Sequence, residues 1–180
     1  MVKLIIGAVI CVFIVIAGFM ILDPALNNKS SSGADVTEVG ETFSYTVEGE
    51  VSKPGTYTLA ENATMSDLID AAGGVASNAD DRAYFLTAQL TAGQTYFIAS
   101  KFDTTDVCGN TVIEKVNINS DTADQLSSIN GITASVASSI VSYRQEKGTF
   151  QTLEQLKDVY GIGDATYRRV RNLVILHAEE

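Results

Sequence analysis

The first strong pattern along the chain is a run of apolar residues near its start. Residues 4–22 contain no charged side chain. As a helix, this run would extend about 28 Å at about 1.5 Å per residue, close to the hydrocarbon thickness of a bilayer. It is longer than the roughly 7–15 apolar residues of a cleaved signal peptide, which remains the alternative. The pattern predicts a transmembrane anchor over residues 1–22.

Charges on either side of this run predict its orientation. Lys3 precedes it, whereas Asp23 follows it and acidic residues dominate beyond. Positive charge favours the cytoplasmic side, so we expect a single-pass protein of the cell membrane with a cytoplasmic N-terminus and extracellular C-terminal domains. Residues 23–42 are rich in Ser and Asn and include Pro24. This composition predicts a flexible stalk.

A period of two replaces the apolar run after the stalk. Apolar and polar residues alternate over 43–51, which predicts a half-buried strand. Lys53-Pro54-Gly55 supplies turn residues, and 56–59 resumes as a second strand. Apolar residues then recur at helical spacing from Met65 to Ala72, with Thr64 as the expected N-cap.

Two more runs, 83–90 and 95–99, are β-like. The order ββαββ within about 60 residues predicts a small sheet covered by one helix, forming a domain over 43–101. A polar connector over 102–114 follows and contains Cys108. Cys108 could be a free surface thiol or could form an intermolecular disulfide, and the sequence is compatible with both.

The domain contains the motifs Val47-x-Gly49-Glu50-Val51, Lys53-Pro54-Gly55 and Ala71-Ala72-Gly73-Gly74. These motifs resemble the soluble-ligand-binding β-grasp (SLBB) family, which implies a β-grasp module. Members of that family differ in ligand, so the resemblance names no partner. Asp80-Asp81 falls in a predicted loop, where we expect both carboxylates to be solvated. The resemblance is carried by Val47, Gly49, Glu50, Val51, Lys53, Pro54, Gly55, Tyr57, Ala71, Ala72, Gly73, Gly74, Ala79 and Asp80.

The C-terminal part overlays itself when it is shifted by 30 residues, so that 122–132 matches 152–162. Each copy starts with Thr-x-x-Gln, a helix capping box, and continues through a short helix and a Gly-Ile hairpin into a longer helix. This is the helix-hairpin-helix pattern, and it predicts an all-α tandem domain over 115–178. The residues expected to be buried together are Leu126, Ile129, Val136, Ile140, Leu156, Val159, Val170 and Leu173.

The chemistry of such a hairpin favours anions. Glycines let the backbone turn so that N–H groups point outward at the start of the second helix, where the helix dipole adds positive potential. Two hairpins could hold neighbouring phosphates of a duplex without reading bases. Arg168, Arg169 and Arg171 are expected on the outer side of the last helix, where they could pair with phosphates beside the second hairpin. The candidate DNA-binding residues are Gly131, Ile132, Thr133, Gly161, Ile162, Gly163, Arg168, Arg169, Arg171, Arg144 and Lys147.

Charge limits the kind of nucleic-acid binder that this chain can be. Its 12 Lys and Arg against 22 Asp and Glu give a net charge of −10, which excludes a protein that is basic as a whole. Residues 111–180 hold 7 of the basic and 9 of the acidic residues, so the acidity is concentrated before the tandem hairpins. A local basic face is therefore still compatible with the composition.

The whole arrangement resembles the competence DNA receptor ComEA family. The resemblance implies a surface receptor that captures double-stranded DNA through its phosphates during natural transformation and passes it to DNA-uptake channel proteins. Thr133 stands where the family usually has glycine, and Val136 where lysine is common, so a weaker first phosphate site is expected. Beyond the anchor and the β-grasp domain, the resemblance is carried by Val116, Asn117, Ile118, Asn119, Arg144, Lys147, Gly148, Phe150, Leu153 and Leu156.

Enzyme classes receive little support from the sequence. With two cysteines and His177 as the single histidine, the chain offers no structural zinc site, and no nucleophile–base set or cofactor motif is recognisable. The alternative to a DNA receptor is a surface assembly or polysaccharide-binding scaffold, in which the hairpins are structural. Self-association through the β-grasp domain is compatible with both. The sequence thus predicts an α+β protein with a transmembrane helix, an SLBB domain and an all-α tandem helix-hairpin-helix domain.

Overall fold

The computed structural model describes residues 41–103 and 111–178. The predicted transmembrane anchor, nearly all of the predicted stalk, and Cys108 lie outside the described residues. Within these two ranges, no helix combines the length and the apolar character that crossing a membrane requires.

A three-stranded sheet forms the first half of the described chain. β1 (Thr42–Gly49) pairs antiparallel with β2 (Gly55–Ala60) and parallel with β3 (Thr95–Ile98), in the order β2-β1-β3. Because successive side chains of a strand point to opposite faces, Tyr45 and Val47 share one face, and both are fully buried there. The three strands predicted in these segments are confirmed.

A single helix covers the buried face of this sheet. α1 (Met65–Ala71) begins after Thr64, whose backbone N–H donates to Asp67 Oδ2 at 2.7 Å while Asp67 N–H donates to Thr64 Oγ1 at 3.4 Å. This reciprocal capping confirms the predicted helix start. The core between helix and sheet contains Tyr45, Val47, Val51, Ala63, Met65, Leu68, Ile69, Ala72, Ala88, Leu90, Tyr96 and Ile98.

The strand predicted over residues 83–90 is wrong. A short 3₁₀ turn, Asp81–Ala83, is followed by an irregular segment that forms one isolated bridge, between Gln89 and Thr64. The carbonyl groups of this segment accept the first N–H groups of α1, because Met65 N–H donates to the Ala88 oxygen at 2.9 Å. Ala83, Ala88 and Leu90 are buried in this segment without belonging to a strand.

The connector between the two halves is partly paired. β4 (Phe102–Asp103) and β5 (Thr111–Val112) form a short antiparallel pair at the two ends of the connector.

The C-terminal half contains the two predicted repeats. The first has α2 (Ala123–Leu126) and α3 (Ala134–Lys147), and the second has a 3₁₀ helix (Leu153–Asp158) and α4 (Asp164–Val170). Of the eight residues expected to be buried together, five are buried and Ile129, Val136 and Leu173 are half-buried. The core also takes in residues that the repeat pattern did not single out: Val116, Ile118, Phe150, Leu153, Tyr167, Val174 and Leu176.

The prediction that this half is all-α is wrong. β6 (Val116–Asn117) and β7 (Val174–Ile175) form a parallel pair that joins its two ends. Asn119 fixes the same region, because its Nδ2 donates to the carbonyl oxygens of Phe150 and Leu176, both at 2.9 Å. A parallel pair this short has no helical or alternating signature, which is why the sequence pattern did not indicate it.

The two halves meet at a buried ion cluster. Asp80 is fully buried, Arg82 Nε lies 2.9 Å from its Oδ1, and the Nζ of Lys115 lies 2.8 Å from its Oδ2. Burial alone would raise the pKa of Asp80, but the hydrogen bonds and charges of Arg82 and Lys115 outweigh it and lower that pKa to about 2. The expectation that Asp80 is solvated is therefore wrong, because a cation from each half neutralises it.

Candidate nucleic-acid interface

Each hairpin packs against the second helix of the other repeat. Gly131 has φ +110° and Gly161 has φ +93°, a region that residues with a side chain rarely adopt. A Cβ on Gly131 would lie 2.9 Å from side-chain atoms of Arg169 and Val170, whereas a Cβ on Gly161 would lie 3.1 Å from Val136. Each glycine therefore brings its hairpin against the helix that follows the other hairpin, so the two hairpins lie side by side.

The isoleucines of the hairpins anchor the turns. Ile132 and Ile162 are 4% and 3% exposed. Their N–H groups donate to the carbonyl oxygens of Ile129 and Val159, at 3.3 and 3.0 Å. These two amides donate inside the turns, so they are not available for the phosphate contacts that the sequence predicts.

The two hairpins cap their second helices differently. Thr133 caps α3, and its Oγ1 accepts the N–H of Val136 at 3.3 Å. Gly163 occupies the matching position before α4 and has no side chain with which to cap it. A side chain of the first hairpin therefore satisfies one N–H group at the start of its second helix, whereas no side chain does so at the start of α4.

Arg168 and Arg169 lie on the outer side of α4, as predicted, and both are exposed. The methylene groups of Arg169 pass over Gly131, which puts this residue of the second repeat beside the first hairpin. The two arginines thus supply positive charge near both hairpins.

Arg171, at the end of α4, is only partly exposed. Its Nη1 lies 3.2 Å from Glu48 Oε2, and its guanidinium group lies 3.8 Å from the centroid of the Phe97 ring. Both partners belong to the β-grasp half. Arg171 therefore lines the same cavity as Arg168, as expected for neighbours on one side of α4, but an ion pair and a cation–π contact hold it against the sheet.

Arg144 and Lys147, the last predicted cations, lie near the far end of α3. Arg144 Nη1 donates to the Ile118 carbonyl oxygen at 2.9 Å, so this side chain ties α3 to the segment after β6. Lys147 is exposed and lines a groove of about 820 Å³ between α3 and the second hairpin. The hairpins, Arg168 and Arg169 are brought together by the fold, whereas Arg144 serves the scaffold.

Two exposed residues near the second hairpin were missed. Lys157 lies 5.4 Å from the Tyr167 ring and shares a cavity of about 300 Å³ with Arg168 and Asp164. Tyr160, immediately before Gly161, is 87% exposed. The 30-residue repeat held the signal, because Lys157 and Tyr160 stand where the first copy has Ser127 and Asn130.

Across 41–103 and 111–178, no three His, Cys, Asp or Glu side chains lie close enough together to hold a metal ion. His177 instead stacks on Phe85, with ring centroids 4.8 Å apart, and its Nε2 lies 3.1 Å from the Asp81 carbonyl oxygen.

Comparison with known proteins agrees with both halves of the fold. The SLBB domain model matches residues 44–98, and the helix-hairpin-helix motif model matches residues 111–175. A Bacillus subtilis protein named ComE operon protein 1 is 32% identical over 157 residues, which cover 82% of this chain and 77% of that protein.

Other relatives match a shorter part of this chain. An uncharacterized protein of Haemophilus influenzae is 45% identical over 65 residues, 36% of this chain and 58% of that protein. The human endonuclease/exonuclease/phosphatase family domain-containing protein 1 is 42% identical over 60 residues, only 10% of its length. That short segment carries no nuclease assignment to this chain. The two domains and the long match to the Bacillus protein place this chain in the ComEA family of competence-related DNA-binding proteins.

Proposed function

We propose that this protein is a membrane-anchored surface receptor that binds double-stranded DNA through its backbone phosphates, without sequence specificity, and delivers it to an uptake channel during natural transformation. The observation that carries the proposal is the reciprocal seating of Gly131 and Gly161, which sets two hairpins side by side. Paired hairpins of this kind suit two neighbouring phosphates of one duplex.

The groups available at the hairpins explain why binding would ignore sequence. Backbone N–H groups and arginine side chains recognise phosphate oxygens, which every base pair presents alike. Arg168 and Arg169 add two exposed charges beside the hairpins, and Lys157 adds a third near the second one. The binding contribution is uneven, since the first hairpin satisfies part of its own amide set through Thr133.

The proposed location of the protein at the cell surface is based on the sequence pattern near its start. An apolar run over 4–22 with Lys3 before it and Asp23 after it would hold the described domains outside the cell, where incoming DNA is met first. Self-association through the β-grasp domain would let several weak sites act together on one duplex.

Binding of the full chain to short duplexes of unrelated sequence, measured between about 50 and 200 mM salt, tests the proposal. We expect equal affinities for all sequences and an affinity that falls with salt. Arg168→Glu and Arg169→Glu should each weaken binding and reduce the steepness of the log affinity against log salt plot by about 1.

The matched control is Lys53→Glu, the same charge reversal at an exposed position in the turn between β1 and β2. This variant should bind like the parent protein. Affinity that tracks one sequence, or arginine variants that bind no worse than Lys53→Glu, would contradict phosphate-directed capture and favour the scaffold function instead.

A further inference from the structure

The second repeat is attached to the edge of the β-grasp sheet. Glu154 Oε1 accepts the backbone N–H of Phe97 in β3 at 2.8 Å. Asn172 Oδ1 accepts the backbone N–H of Ser100, just after β3, also at 2.8 Å. Because β3 is an edge strand, these side chains satisfy N–H groups that a neighbouring strand would otherwise bind.

Glu154 also joins the two elements that flank the second hairpin. It lies in the 3₁₀ helix before the hairpin, and its Oε1 accepts the hydroxyl of Tyr167, in α4 after the hairpin, at 2.7 Å. Glu154 is 4% exposed and Tyr167 is 6% exposed. One buried carboxylate thus connects both ends of the hairpin to the sheet.

The contacts coincide with the positions at which the two repeats differ. The capping Thr, the capping Gln and the Gly-Ile pair are the same in both copies. Most of the residues through which the second copy contacts the β-grasp half align with different residue types in the first copy. The unlike pairs are Ala137 with Tyr167, Val141 with Arg171 and Ser142 with Asn172, whereas Asp124 and Glu154 are both carboxylates that differ in length by one methylene.

Arg171 completes the contact. It reaches Glu48 and the Phe97 ring from the end of α4, and its side chain remains 23% exposed. The contacts of Glu154, Asn172 and Arg171 therefore connect the second repeat to the β-grasp half.

We infer that the β-grasp domain is a positioning element for the second hairpin, with Glu154 as the connecting residue. The inference rests on the proposed phosphate-binding role of that hairpin. By fixing the elements on both sides of the hairpin, the brace holds residues 161–163 in the geometry that meets a phosphate. Glu154 and Tyr167 are buried beneath the hairpin and act through it, so they are positioning residues.

Two measurements on the full chain test this inference: amide hydrogen exchange and duplex binding. In Glu154→Ala, the amides of Phe97 and residues 161–163 should exchange faster, and duplex affinity should fall by roughly tenfold. Glu154→Gln keeps an acceptor oxygen, so it should restore most of both properties.

Asp124→Ala is the matched control, because Asp124 occupies the same place in the first repeat and is exposed. It should change neither exchange at 161–163 nor affinity. Tyr167→Phe removes only the hydroxyl that Glu154 accepts, so it tests the same connection if Glu154→Ala does not fold. We expect a smaller change in the same direction.

The exchange measurement separates this inference from the proposed function, since it needs no DNA. If the parent protein does not bind duplexes, faster exchange at 161–163 in Glu154→Ala still supports the brace. Faster exchange at Phe97 with unchanged exchange at 161–163, in Glu154→Ala or Tyr167→Phe, would overturn it.

Discussion

At the scale of single residues, the two glycines of the second hairpin, Gly161 and Gly163, differ in how strongly the fold requires them. Gly161 needs both its left-handed backbone and its missing Cβ, because Val136 lies 3.1 Å from where that atom would be. Gly163 has φ −91° and open space around it. The fold therefore requires the first glycine of this Gly-Ile-Gly turn, whereas the second can be replaced by a residue with a side chain.

We expect Gly161→Ala to lower the free energy of unfolding by about 1–2 kcal/mol, the cost of the left-handed conformation for an L-residue, with any contact with Val136 added. The free energy of unfolding of Gly163→Ala should lie within about 0.5 kcal/mol of that of the parent protein. Denaturant unfolding followed by circular dichroism measures both. Equal losses in the two variants would contradict the distinction.

At the scale of elements, the repeat pattern predicted more than the local patterns did. Thr122 and Thr152 each start a helical segment, and the hairpins follow where the shift of 30 residues puts them. The pattern failed where burial is set by tertiary contacts. Ala83, Ala88 and Leu90 are buried without forming a strand, and β6 and β7 are too short to leave a period.

The sequence likewise predicted some residues of the candidate site better than others. Glycines and exposed arginines have local signatures, so the hairpins, Arg168 and Arg169 were found from the sequence. Whether a cation faces solvent or another domain depends on what packs beside it. Arg171 and Arg144 therefore could not be separated from Arg168 and Arg169 without the fold, since their partners, Glu48 and Ile118, are distant in sequence.

The cap of α3 yields a test of the first hairpin. Thr133→Gly removes the hydroxyl that accepts Val136 N–H, leaving that amide available to a phosphate. Unfolding free energy should fall by about a few tenths of a kcal/mol, while duplex affinity rises and its salt dependence becomes steeper. Both are measured as for the arginine variants.

Thr122→Gly is its control, because Thr122 caps α2 in the same way away from the hairpin turn. That variant should lose similar stability without a gain in affinity. An affinity for Thr133→Gly at or below that of Thr122→Gly would show that the capped amide does not limit binding.

At the scale of the whole molecule, a buried charge cluster joins the two halves. Asp80 comes from the β-grasp half and Lys115 from the segment leading into β6, and their side chains are 0% and 1% exposed. Ionised Asp80 stabilises the fold at pH values above its unfolded pKa of about 3.9. Because the pKa of Asp80 is about 2 in the folded protein, this stabilisation is lost as the pH falls from about 4 to about 2.

Asp80→Asn should therefore be destabilised by about 3–5 kcal/mol at pH 7, since it leaves the Lys115 ammonium buried without a counter-charge. Its unfolding free energy should also depend less on pH between about 4 and 2 than that of the parent protein. Thermal and denaturant unfolding across this range measure both effects. Asp81→Asn, at the exposed neighbouring position, is the control and should behave like the parent.

The reciprocal seating of the two hairpins has a consequence for how this domain can change through time. Gly131 rests on the helix of the second repeat and Gly161 on the helix of the first. A gene rearrangement that deleted either 30-residue copy would remove the support of the surviving hairpin as well as one hairpin. Selection therefore acts on the pair as one inherited unit, and substitutions in one copy restrict those that the other can accept.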